Sequence, residues 1–396
     1  MLLRTSEQPT PRRKAALSNR LKRIDWDFAG YACASAFAAV HWHPCRFVAQ
    51  IPASLIGLLS KPGDTVLDPF CGAGTTLVEA QRLGRQPIGI DINPISTLIS
   101  RSKLGIVSAE AVSKAIARYK RIIVNASSDK EFARSIETYE VPESVQLEKW
   151  YHRDTARQLA FLWTLISRST SSHRDLLRAA FSGILIAVCN ETRHWGYVCD
   201  NTQPKSVRRT DAIGAYFQAL DRYLEAYEER DKLLGEGVKL PLAMANVQTG
   251  DAATVISGLK AGSIDLIVTS PPYFGVCDYA KAQRLSMEWF NHEIESIRSR
   301  EIGARSKRHR QTAATDYVVE VSKVLHECAR VLRKGKHLAL ILGESGARST
   351  TVDDVVAAME QSGFNVIADE VRSVSIQRRQ NPSILEERVI VGQKTW

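Results

Sequence analysis

Apolar and polar positions along this chain follow two rhythms, and the change-over falls near residues 108 and 240. Outside that span, short β-branched and apolar runs predict buried strands at Thr65-Val66-Leu67, Gln86 to Asn93, Asn246 to Asp251, Ile264 to Val268 and His337 to Leu342. Helical spacing separates them: an apolar segment from Val48 to Leu59, a helical start at Leu77-Val78-Glu79-Ala80, and the series Val321, Leu325, Cys328, Leu332 with Gly335 as its end. A helix over 352–361 and strands near 365–376 and 387–392 follow, the last two reading as an antiparallel hairpin at a sheet edge. Alternating strands and helices predict an α/β class with a doubly wound, mostly parallel sheet.

Between 108 and 240 the period is helical throughout. Val112, Ile116, Tyr119 and Ile123 share one face, with Lys114, Arg118 and Arg121 elsewhere around the same helix. Ala156 to Ile166 is apolar nearly all round and predicts a buried helix. Ile213, Phe217, Leu220, Leu224 and Tyr227 predict the face of another. The resulting division is a basic arm over 1–24, expected to be mobile, an α/β domain over 25–107 and 241–396, and a helical insertion over 108–240.

Composition adds a bias. Hydrophobic residues make up 44% and charged residues 24%, ordinary for a globular protein, but the net charge of +10 favours a polyanionic partner. The cysteines at 33, 45, 71, 189, 199, 277 and 328 are odd in number and irregularly spaced. That pattern argues against a disulfide framework and for a reducing compartment. Cys189 and Cys199 around His194 lack zinc spacing, and His41 and His43 have no third ligand nearby, so no metal is expected. With no membrane-length apolar run and no signal-peptide core, a cytoplasmic location is expected.

The candidate chemistry sits at strand ends. Asp68-Pro69-Phe70-Cys71-Gly72-Ala73-Gly74-Thr75-Thr76 joins the first strand to a helix through glycines, which let a backbone approach a ligand closely. Asp91, followed by Ile92-Asn93, lies near the separation of about 20 residues at which an acid binds ribose hydroxyls in doubly wound folds. The alternative for Asp91 is a cap before Pro94. Asp251-Ala252 ends the next strand, and Ser270-Pro271-Pro272-Tyr273 ends the central one. His41-Trp42-His43-Pro44 leads into a helix that would close one side of the pocket. Polar and aromatic groups at 190–197, including Arg193 and Trp195, with Lys205, Arg208 and Arg209 beyond, suit either nucleic-acid contact or an inter-helix loop.

Asp-Pro-Phe-Cys-Gly-Ala-Gly-Thr-Thr at 68–76 and Thr-Ser-Pro-Pro-Tyr at 269–273 closely resemble the S-adenosylmethionine-dependent DNA amino-methyltransferases. The resemblance covers about 41–105 and 245–395. It implies a seven-stranded Rossmann-like methyltransferase sheet and S-adenosylmethionine as cofactor. It assigns Asp68, Phe70, Gly72 and Gly74 to the cofactor loop, Asp91 to the ribose and Asp251 to the adenine. It also makes Ser270, Pro271, Pro272 and Tyr273 the catalytic tetrad, with Tyr273 stacking on the target base. Ser-Pro-Pro-Tyr is more usual among N4-cytosine enzymes than N6-adenine ones, so the implied reaction is N4 methylation of a flipped-out cytosine in double-stranded DNA. A restriction–modification setting with a cognate endonuclease is the implied partner. N6-adenine, guanine-N2 methylation of RNA and a silent cofactor-binding module are the alternatives. The insertion departs from the family's familiar orders. The basic run Arg298, Arg300, Arg305, Lys307, Arg308 and Arg310 is therefore a second candidate for DNA contact beside the insertion.

Overall fold

The predicted strands assemble into one sheet because their apolar runs have two faces to cover. The computed structural model describes residues 11–28, 36–44, 48–128, 139–191, 203–234, 238–239, 241–345, 350–374 and 384–395. Its strands are β1 (Thr65–Asp68), β2 (Gln86–Asp91), β3 (Asn246–Thr249), β4 (Ile264–Thr269), β5 (Leu332–Ser345), β6 (Phe364–Ser373) and β7 (Ile384–Lys394). They lie in the order β3-β2-β1-β4-β5-β7-β6. β1 to β5 run parallel, and β7 runs antiparallel to both β5 and β6. This is the doubly wound, mostly parallel sheet with an antiparallel hairpin that the pattern predicts.

All six residues of β4 are buried, as its position between two parallel neighbours requires. On one face, Leu266 and Val268 pack with Ile51, Leu55 and Ile56 of α2 (Gln50–Leu59). On the other, Ile267 meets Val321, Leu325 and Cys328 of α14 (Ala313–Val331).

The sheet corrects two expectations. The mobile arm over 1–24 is, in its described part, the helix α1 (Pro11–Lys22), and Leu21 and Trp26 are buried in the same core as α2. Leu17 and Ile24 pack against that core too, so scattered apolar side chains dock a basic segment. Gly335 does not end α14, which stops at Val331; it lies inside β5. There the pairing with β4 jumps from Ile264↔Leu332 to Leu266↔His337, so the extra residues form a bulge.

The span between β2 and β3 is helical. After α3 (Thr75–Arg82) and α4 (Pro94–Lys103) come α5 (Ala109–Ser128), a short α6 (Leu147–Trp150), α7 (Arg153–Ser167), α8 (Arg174–Ile184) and α9 (Ala212–Lys232). These helices share one continuous core with Leu77 and Val78 of α3 and Leu98 of α4. On α9 the buried stripe is Tyr216, Leu220, Tyr223 and Tyr227, while Ile213, Phe217 and Leu224 flank it half-buried. The expected face shares Leu220 and Tyr227 with this stripe and misses Tyr216 and Tyr223, because a buried tyrosine needs a partnered hydroxyl. Tyr216 donates to Leu177 O at 3.1 Å and Tyr227 to Ser102 O at 2.9 Å, and Tyr223 bonds Ser102 Oγ at 2.8 Å. Among the described residues no helix is long and apolar enough to cross a membrane.

Candidate active site

A cleft opens at the C-terminal ends of β1 to β4, where strand order reverses between β1 and β4. The turn after β1 enters it through Pro69, Phe70 and Gly72. Gly74 sits at φ +81°, and a Cβ there would lie 2.8 Å from Ser100 Oγ, so this turn needs glycine on both counts. Helix α4 holds the turn from outside: Ser100 Oγ donates to Gly72 O at 2.7 Å and Lys103 Nζ to Ala73 O at 2.8 Å. His43 closes one wall. Its Nδ1 lies 2.7 Å from Pro44 O, which can only accept, so Nδ1 carries a proton, and Nε2 bonds Ser96 Oγ at 2.9 Å.

The acids divide by position. Asp91, Ile92, Asn93, Asp251 and Ala252 line the cleft; Asp68 does not. Asp68 is 1% exposed and accepts from Phe70 N–H at 3.1 Å and Thr269 Oγ at 2.6 Å. It ties the glycine turn to the end of β4. Burial raises its pKa to about 6, against those hydrogen bonds. Pro44, Cys71, Gly74, Thr75 and Thr76 likewise stand outside the lining, the last two as the first turn of α3. Burial, and then Asp91 and Asp68, push the Cys71 thiol well up, which rules it out as a nucleophile.

Asp91 accepts from Gly72 N–H at 2.9 Å and Asn93 N–H at 2.8 Å, joining the turns after β1 and β2. Burial raises its pKa to about 6. Each oxygen retains acceptor capacity toward the cleft. The capping role falls to Asn93, whose Oδ1 accepts from Ile95 and Ser96 N–H at the start of α4. Asp251 caps α10 (Ala252–Ser257), accepting from Thr254 N–H at 2.9 Å.

Of the far wall the sequence offered only Tyr279, just beyond the tetrad, and Arg300 in the basic run. After the tetrad come α11 (Tyr279–Ala282), α12 (Arg284–Trp289) and α13 (Ile294–Arg300), with a turn at Arg305–Lys307. Ala280 and Ile297 pack on Ile95 and Ile99 of α4, which folds the segment back over the cleft. It contributes Tyr279, Arg300, Glu301 and Ile302 to the lining. Glu301 is 2% exposed; Oε1 accepts from Ala280 N–H at 2.6 Å, while Oε2 is buried without a partner. Burial, with Asp278 and Asp91 adding to it, raises its pKa to about 7. Its only sequence signal is an acid inside an otherwise basic run. Asn93 Nδ2 on the facing wall is also buried and unpartnered. An orphaned acceptor and an orphaned donor on one cleft fit a ligand that carries both kinds of group.

Ser270, Pro271, Pro272 and Tyr273 form the remaining edge. Tyr273 is only 6% exposed, and packs with Val276, Val374 and Ile384. Its ring rests on the backbone of β5: a Cβ at Gly343 would lie 2.2 Å from Tyr273 Cε2. The ring therefore offers little open face for stacking in this state.

Of the candidate DNA contacts, Arg193 and Trp195 lie outside the described residues, and Lys205 is exposed. Arg208 is half-buried and donates to Cys189 O at 2.9 Å and to Ala187 O, so it caps the end of the chain leaving α8. Lys307 Nζ likewise donates to Ser299 O at 2.9 Å and Glu301 O at 2.7 Å. Arg308 Nε donates to His309 Nε2 at 3.2 Å. Arg305 and Arg310 are exposed beside the far wall. Among the described residues no cluster of three or more His, Cys, Asp or Glu could hold a metal.

Residues 13–99 match the model of the DNA methylase family N6_N4_Mtase. The chain is 22% identical to the type II methyltransferase M.MjaII of Methanocaldococcus jannaschii, over 91% of this chain and 82% of that one. It is 24% identical to the type II methyltransferase M.MvaI of Kocuria varians, over 64% of this chain and 58% of that one. It is 25% identical to the type II methyltransferase M.BsoBI of Geobacillus stearothermophilus, over 61% and 49%. The matched family model begins inside α1, well before the first sequence motif, and the likeness to M.MjaII is long enough to take in helical segments as well. These likenesses support a methyltransferase, and S-adenosylmethionine is its cofactor. Its hydroxyl and amino donors and its carboxylate and ring-nitrogen acceptors suit the orphaned Glu301 Oε2 and Asn93 Nδ2.

Proposed function

We propose that this methyltransferase acts on double-stranded DNA and methylates the exocyclic N4 amine of cytosine. The observation that carries the reading is Ser270-Pro271-Pro272-Tyr273 at the end of β4, on the same cleft as Asp91 and Asp251. An exocyclic base amine is a poor nucleophile because its lone pair is delocalised into the ring. Acceptors placed on its two protons favour a pyramidal nitrogen and free that lone pair. Ser270 Oγ and the carbonyl of Pro271 take this role. The prolines fix φ and remove competing N–H donors, which holds both acceptors in place.

The cofactor, when bound, supplies an electrophilic methyl group on a sulfonium, so no protein nucleophile is needed. Asp91 and Asp251 bind and orient its ribose and adenine. His43 and the glycine turn take the methionine end. Asn93 and Glu301 complete the wall. A base inside a duplex cannot reach Ser270, so it is flipped out at a cost of a few kcal/mol. Phosphate contacts from the basic surface offset that cost. Arg305 and Arg310 carry these contacts, because their side chains are exposed at the cleft's far wall whereas those of Arg208 and Lys307 hold backbone carbonyls. The type II methyltransferase relatives favour a restriction–modification setting with a partner endonuclease.

Incubation with duplex DNA and labelled S-adenosylmethionine, followed by digestion to nucleosides, tests the reading. N4-methylcytosine is the expected product. N6-methyladenine alone would keep the enzyme class and overturn the cytosine assignment, and label in RNA but not DNA would overturn the substrate.

A further inference from the structure

Ser270 hydroxyl is by nature both donor and acceptor, so amine activation needs something to turn its proton away from the base. We infer that Glu387, held by Arg372 and acting through the Tyr273 hydroxyl, fixes Ser270 as an acceptor. This rests on the proposed role of Ser270 toward an exocyclic amine.

The geometry sets the direction of each bond. Glu387 lies on β7 and Arg372 on its antiparallel neighbour β6, where Arg372 pairs in register with Glu387. Their side chains form a salt bridge, with Arg372 3% and Glu387 8% exposed. Arg372 Nε also donates to Trp26 O at 2.9 Å, which anchors the guanidinium from the segment after α1. A carboxylate held this way only accepts. Tyr273 hydroxyl lies 3.0 Å from Glu387 Oε1 and has one proton, which therefore goes to Glu387. Only lone pairs of Tyr273 oxygen remain for Ser270 Oγ, 3.3 Å away, so Ser270 donates to Tyr273. With its proton committed there, Ser270 presents lone pairs to the cleft. At 3.3 Å this last link is longer than the one behind it, as catalytic hydrogen bonds are before substrate binds. The contact of the Tyr273 ring with Gly343 keeps the hydroxyl on this line, because any side chain at 343 would displace the ring.

Glu387 and Arg372 are thus positioning residues that never touch the base, and they come from the hairpin that distinguishes this sheet edge. The test is Tyr273→Phe, which keeps the ring and the Glu387–Arg372 pair but deletes the relay. It should lower kcat about tenfold, corresponding to roughly 1.4 kcal/mol in the barrier, with KM for DNA and affinity for S-adenosylmethionine unchanged. Glu387→Gln should lower kcat similarly, and the double variant should be no slower than Tyr273→Phe alone, because Glu387 reaches Ser270 only through Tyr273. Full kcat in Tyr273→Phe, or multiplied losses in the double variant, would overturn the inference. If Glu387→Gln fails to fold, Tyr273→Phe alone decides. Ser270→Ala separates the two levels: full activity in that variant removes the proposed amine activation itself. A dead Ser270→Ala beside a fully active Tyr273→Phe removes only the relay.

Discussion

Asp91 and Glu301 on the cleft, and Asp68 behind it, have pKa values raised to about 6, about 7 and about 6, and loss of hydration is the leading cause in each. For Asp91 the sign of the pH dependence differs between the two equilibria it enters. In the unliganded chain the folded state holds the Asp91 proton more tightly than an unfolded chain, whose value is 3.8. Its stabilising contribution is therefore present below that value and lost as pH rises to about 6. In its proposed ribose role Asp91 accepts from cofactor hydroxyls in its ionised form, so affinity would run the other way. Calorimetric titration with S-adenosylmethionine between pH 5 and 8 should show affinity rising to about pH 6–7 and then levelling, and Asp91→Asn should flatten the lower limb. An affinity independent of pH in the parent chain would remove Asp91 from the role.

At the scale of elements, α1 illustrates how a basic segment acquires structure. Its composition reads as a solvated tail, yet Leu21 is fully buried and Trp26 nearly so, in a core with Ile51 and Leu55 of α2. Truncating a buried leucine costs about 2–5 kcal/mol, so Leu21→Ala should lower the denaturant midpoint markedly. A stability within about 0.5 kcal/mol of the parent, a surface-like effect, would show that α1 is not part of the folded unit. Because Trp26 O holds Arg372, removing this segment should also reach Tyr273. Helix α12 works in the same way between the far wall and the helical segment. Trp289 Nε1 lies 3.3 Å from Tyr151 oxygen, and its ring meets Trp163 and Phe181. The helical segment and the far wall are thereby one packed body.

For the whole molecule, a net charge of +10 concentrates the question of how DNA is held. Arg305 and Arg310 are exposed, whereas Arg208 and Lys307 use their donors on backbone carbonyls. Binding to duplex DNA measured against salt should show a steep loss of affinity. Arg305→Ala and Arg310→Ala should each reduce the log–log slope by about 1. Arg208→Ala should leave the slope alone and lower thermal stability instead. A slope insensitive to both exposed arginines would move the DNA surface elsewhere.

The amino-acid sequence by itself determined the sheet and the strand ends, because β-branched runs, glycine turns and acids at strand termini are local signals with a fixed period. It also carried the pairing of Asp68–Thr76 with Ser270–Tyr273, on which the choice of chemistry rests. Four things were decided only in three dimensions. Tyr216 and Tyr223 of α9 escaped apolar counting because their hydroxyls are satisfied by α8 and α4. Glu301 reaches the cleft because Ala280 and Ile297 pack on α4, a contact with no sequence period. Arg208 and Lys307 differ from Arg305 and Arg310 only in which carbonyls lie within reach. Strand register pairs Arg372 with Glu387, and packing brings Tyr273, 114 positions before Glu387, against that pair. Periodicity reports what one element needs to bury; it carries no information about which distant donor or acceptor the packing of several elements will bring to it.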